Sequence, residues 1–212
     1  MHSANDIRLL KCLDGVHYAL EIVELNYRDL YDSCIGIQGP NSLDHLAAAL
    51  SKSWTIIDAV NRIREISQSI PGLNKSDTKL VKFLRTTEVV EVYRNYTQHL
   101  RSELLKPNLD PFPVWGALSW VDPNDPKQSH MAVYGSITPG TGFAGMPYDR
   151  VEKKWASKVC LSLGNRSLSF DPLYSNVKEF GQYIVPWILG YYSPGVKLNN
   201  SVPILDVKAV DE

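Results

Sequence analysis

Lys106-Pro107-Asn108-Leu109-Asp110-Pro111-Phe112-Pro113 divides this chain in two. Each of its three prolines fixes φ and removes an amide donor, so neither a helix nor an interior strand continues through it. Before it, apolar residues recur at three- and four-residue spacing. After it, the pattern turns strand-like. Segregation of this kind predicts an α+β fold. The expected order is an antiparallel helical bundle over 5–106, a proline-rich linker at 107–113, and a small β-rich region with one helix over 114–212.

Upstream of the linker, Leu9, Leu13, Val16, Leu20, Val23 and Leu30 predict a helix over 5–33. Leu43, Leu46, Leu50, Trp54, Ile57, Val60, Ile63 and Ile66 predict a second, running from a cap at Asn41 or Ser42 to about Ile70. Ser76-Asp77 offers a fresh N-cap. Thr86-Thr87 then splits the next helical pattern into 77–85 and 87–105. In the longer piece Val89, Tyr93, Tyr96, Leu100 and Leu104 form the expected buried stripe.

Downstream, Val114–Val121 and Met131–Ile137 read as strands. Ser157–Leu163 and Ser167–Phe170 read as a hairpin turning at Gly164-Asn165-Arg166. A last helix is expected over Ser175–Leu189, kinked at Pro186, and then a polar tail over 193–212. The glycine-rich run 135–145 lacks the Gly-Lys-Ser/Thr ending of a phosphate-binding loop and reads as a mobile hairpin or a surface loop. Trp115, Trp120, Tyr134, Trp155 and other late aromatics suit either base stacking or a sheet core.

The 212 residues carry 22 basic and 23 acidic side chains, so charge alone does not drive binding to nucleic acid. Three scattered cysteines give no disulfide framework and no zinc-ligand spacing. No apolar run is long enough to span a bilayer, and no signal core opens the chain. A cytoplasmic protein without membrane contact is the expectation.

The chemistry-bearing stretch is Arg94-Asn95-Tyr96-Thr97-Gln98-His99. Asn95 and His99 are one helical turn apart. Arg94 lies five residues before His99, about 140° around a helix. Asp58 and Arg62, four apart, read as a plain ion pair, with Arg64 close by. Glu88 shares the Asn95–His99 face and could meet Arg94 or His99 of a second chain.

With Arg94, Asn95 and His99 in the last long helix of the bundle, the chain resembles the HEPN superfamily over about residues 5–106. That family's motif is Arg, four to six residues, then His, often with Asn after the Arg. The resemblance implies a metal-independent endoribonuclease of the kind that serves as a toxin or antiviral effector. Equally it implies a catalytically dead relative that binds RNA or partners, and the alternative reading is a non-catalytic dimerising module whose β-rich domain binds a protein or a ligand. The resemblance also implies a homodimer through the bundle, RNA as partner, an antitoxin or regulatory protein as a further one, and no cofactor. His99 would act as acid and base, Arg94 as phosphate clamp and Asn95 as orienter. Some members carry a tyrosine two residues after the histidine. Arg101 stands there, so modification of such a tyrosine is not implied.

Overall fold

The computed structural model describes residues 4–39, 41–106, 112–135, 137, 139–142, 147–149 and 154–191. The expected linker lies mostly outside these residues. So do positions 136, 138 and 143–145 of the glycine-rich run and the whole polar tail, while the second expected strand ends at Val133, short of Ile137.

Two long helices open the chain, α1 (Ala4–Ile35) and α2 (Leu43–Gln68). They pack as an antiparallel hairpin, since Gly36 faces His45 at one end and Gly15 faces Ile66 toward the other. A Cβ on Gly15 would stand 2.7 Å from Ile66 Cδ1, so the glycine permits close approach that offsets its helix cost of about 1 kcal/mol. Val16, Val23, Ile57, Val60 and Ile63 are buried between the two. The cap of α2 is Ser42, whose hydroxyl accepts from the Gln38 amide at 2.9 Å instead of capping its own helix.

Next come α3 (Thr78–Thr86), α4 (Glu88–Gln98) and α5 (Leu100–Leu104). Asp77 caps α3, accepting from the amides of Lys79 and Leu80 at 2.9 and 3.0 Å. Thr87 ends α3 and begins α4, at the split expected from Thr86-Thr87. The single helix expected over 87–105 is interrupted at His99, which has φ −109° and ψ 21°. Thr97 supplies a reason. Its hydroxyl donates to the Arg94 carbonyl at 2.9 Å, the kind of back-bond that bends helices. Beyond the break, Leu104 of the expected stripe is exposed.

The sheet has four antiparallel strands in the order β2-β1-β5-β6, namely β1 (Ala117–Val121), β2 (Ser129–Val133), β5 (Val159–Leu163) and β6 (Arg166–Ser169). A separate two-stranded pair, β3 (Tyr148–Asp149) and β4 (Lys154–Trp155), has no counterpart in the sequence reading. The central strands β1 and β5 are buried along their length. The β5–β6 hairpin turns at Gly164, whose φ of 59° is the left-handed value a tight turn needs.

Helix α6 (Phe170–Tyr191) follows β6 directly, five residues earlier than expected, and runs through Pro186. The Asp171-Pro172 pair in its first turn suits a helix start, where a missing amide costs nothing. This helix returns to the N-terminal ones. Phe180 stacks on Phe83 of α3 with ring centroids 4.1 Å apart, and Tyr174 stacks on Tyr27 of α1 at 3.9 Å. Leu118, Leu161, Phe180 and Ile184 join Val16, Ile57 and Val90 in one buried cluster. Helices and sheet thus share a core across the expected linker, in a mixed α+β arrangement.

Cys12, Cys34 and Cys160 are buried free thiols, and burial pushes the thiol of Cys34 up to about 12. Among the described residues no helix is long and apolar enough to cross a membrane.

Candidate functional site

Helix α4 carries the motif, and its orientation is set at three points. At its start, the guanidinium of Arg64, only 6% exposed, reaches over from α2. Its Nη1 donates to the Leu84 carbonyl at 2.5 Å and to Thr87 Oγ1 at 2.7 Å, and its Nη2 to Glu91 Oε2 at 2.8 Å. In its middle, the fully buried Tyr93 donates its hydroxyl to the Leu161 carbonyl of β5 at 2.8 Å. Tyr96 does the same to the Val114 carbonyl at 3.2 Å. With Val90 and Tyr93 facing the core, helical geometry turns residues 94, 98, 95 and 99 outward in that order around the helix.

That sequence distributes the motif over two openings. Arg94 faces a cleft of about 740 Å³ between α1, α2 and α4, lined also by Tyr18, Asp58, Arg62, Glu65 and Gln98. Asp58 bridges the two arginines, with Oδ2 2.7 Å from Arg62 Nε and Oδ1 2.8 Å from Arg94 Nε. The Arg94 Nε–H does not point along that line, so the contact is an ion pair without a hydrogen bond. The Gln98 carboxamide, with its oxygen turned inward, accepts from Arg94 Nη2 and Nη1 at 3.1 and 3.2 Å. The expected Asp58–Arg62 pair therefore exists, and Asp58 also orients the motif arginine.

His99 faces elsewhere. It lines a groove of about 550 Å³ to which the β5–β6 turn contributes Gly164, Asn165 and Arg166. Lys106 and Glu103 stand at the same groove and pair with each other at 2.5 Å. Asn95 lines both openings, and so forms the ridge between Arg94 and His99. Neither of these two openings is lined by both Arg94 and His99. Glu88 is exposed.

Of the aromatics read as stacking candidates, Trp120 and Phe170 are buried in the core. Trp115 and Tyr134 are partly exposed and line a further cavity of about 590 Å³ with Trp54, next to Asp58. Trp54 Nε1 donates to the Trp115 carbonyl at 3.2 Å, which ties this corner of the sheet to α2.

Arg166 was not among the sequence candidates. Its place in a hairpin turn was legible, but its arrival in the groove that His99 lines depends on how the sheet docks against α4. Among the described residues no group of three or more His, Cys, Asp or Glu side chains is placed to hold a metal ion. No family model matches the chain, and neither a curated protein nor a solved structure is similar to it.

Proposed function

We propose that this chain is a HEPN-like, metal-independent endoribonuclease of the cytoplasm, and that a second copy of the chain completes its site. His99 acts as acid and base, Arg94 as phosphate clamp and Asn95 as orienter. The observation that carries the reading is the exposed strip of α4 on which Asn95 joins the Arg94 cleft to the His99 groove. The strip sits on a helix pinned by Arg64 and Tyr93, so its groups are preorganised. Because Arg94 and His99 line different openings within one chain, a second chain has to bring the motif arginine, Arg94, to the imidazole. Helix α1 offers a face for that pairing. Tyr18, Ile22 and Leu25 are exposed at helical spacing, and the first two border the Arg94 cleft.

The reaction needs no further group. An imidazole takes the proton of a ribose 2′-hydroxyl, the freed oxygen attacks phosphorus, and the 5′-oxygen leaves with a proton from an imidazolium. Arginine offsets the charge that gathers on the phosphate oxygens. A toxin or antiviral effector of this kind pairs with an antitoxin or regulatory protein that restrains it.

The test is cleavage of single-stranded RNA in excess chelator. Wild-type protein should leave 2′,3′-cyclic phosphate ends. His99→Ala should slow cleavage by about a hundredfold or more while circular dichroism stays unchanged. Equal rates in the two proteins overturn the reading.

A second reading has its own observation. Arg94 is already held by Asp58 and Gln98, as a purely structural arginine would be. On that reading the helices form a non-catalytic dimerisation module and the β-rich part binds a protein or small ligand. A wild-type dimer, seen by light scattering, that cleaves no RNA and does not slow growth on expression selects it.

A further inference from the structure

We propose that Arg166, at the turn between β5 and β6, holds the RNA phosphodiester beside His99 of the same chain. The proposal rests on the ribonuclease reading and adds to it a phosphate-binding residue from the β-rich half.

Three observations converge on Arg166. The first is placement. His99 and Asn95, from α4 and its C-terminal end, and Asn165 and Arg166, from the β5–β6 turn, line the same 550 Å³ groove. The second is availability. Arg94 turns into the other opening and sits 2.8 Å from the Asp58 carboxylate. Lys106 is neutralised by Glu103, the acid of this groove, at 2.5 Å. Arg166 is exposed and makes no ion pair with any described residue. It is thus the cation of the groove left over for an anionic ligand. The third is proximity to α4. Burial pushes the Tyr93 phenol well above its ordinary range, and the Arg166 charge is near enough to oppose that rise.

The mounting suits the task. Arg166 opens β6 directly after the tight Gly164-Asn165 turn, and its Cα pairs with Leu163 of the buried strand β5. A guanidinium on so short a turn is presented from a rigid support. Its planar fork matches two phosphate oxygens at once. The Asn95 and Asn165 amides add neutral donors and acceptors for the ribose on either side.

The experiment measures binding of a fluorescein-labelled single-stranded RNA with 2′-O-methyl riboses, which cannot be cleaved by this route, by fluorescence anisotropy at several salt concentrations. Arg166→Gln should weaken binding by about tenfold at low salt. It should also lower the slope of log K against log salt by about one. Arg166→Lys should recover part of the loss, since the charge returns without the fork. Arg28→Gln, the same charge change on α1, should leave affinity and slope as in wild type. Unchanged affinity and slope in Arg166→Gln overturn the proposal. If wild type nevertheless cleaves RNA and His99→Ala does not, the ribonuclease reading stands and only the role of Arg166 falls. Wild-type protein that neither binds nor cleaves RNA overturns both.

Discussion

Arg64 is the residue on which the geometry of the motif helix depends most. It is a cation at 6% exposure, held by the Leu84 carbonyl, the Thr87 hydroxyl and the Glu91 carboxylate. Its three contacts are of unequal weight. Glu91 is more than half exposed, so that ion pair contributes well under about 1 kcal/mol. The contacts to Leu84 and Thr87 are the costly ones to lose, at about 1–3 kcal/mol for each buried acceptor left without its donor. Arg64→Ala should therefore destabilise the protein by about 2–4 kcal/mol in urea denaturation. Glu91→Gln should cost less than about 1 kcal/mol. Equal losses in the two variants would mean that the ion pair, and not the buried staple, holds the α3–α4 corner. Asp58 poses a different case. Both its partners are partly solvated, so its contribution is to the aim of Arg94 more than to stability.

At the scale of elements, α3 is the piece most open to test, because its cap also ties it to α6. Asp77 accepts from two amides of α3 and, through Oδ2, from the Tyr183 hydroxyl at 2.8 Å. Burial alone would raise its carboxyl, but the Leu80 amide, the Tyr183 hydroxyl and the Lys79 amide outweigh it and hold the group below the ordinary carboxylate range. A group depressed on folding contributes stability that is present above its unfolded value and is lost as pH falls through its folded value. Asp77→Ala should thus cost about 1 kcal/mol at neutral pH. The gap to wild type should narrow as the pH is taken below the ordinary carboxylate range. A gap that stays constant from neutral to strongly acid pH contradicts the ionised cap.

The long helices were legible in the sequence because their apolar spacing is nearly unbroken, and Ser76-Asp77 and Thr86-Thr87 marked their joints by simple capping chemistry. The break at His99 was not legible. It accompanies a Thr97 back-bond that competes with an otherwise regular helical pattern. The early start of α6 was hidden for a related reason, since Ser167–Phe170 reads as strand up to the residue where the helix begins.

At the scale of the whole molecule, the sheet and α6 return to the helices and share their core, so the β-rich half forms one wall of the groove in which His99 stands. Side-chain spacing already placed Arg94 away from His99 on the helix. What spacing could not supply is the partition of the two into separate openings, or the arrival of Arg166 from a distant hairpin. Both depend on long-range docking, through Tyr93 to Leu161 and through Tyr96 to Val114. The central claim is that a working ribonuclease site draws His99 from one chain and Arg94 from another. It is tested most directly by mixing. Arg94→Ala and His99→Ala proteins, each inactive alone, are unfolded together, refolded and assayed on single-stranded RNA in chelator. A mixed pair retains one complete site, so the account predicts that cleavage returns in the mixture. A mixture as inactive as its separate components, or a single variant that cleaves like wild type, contradicts it.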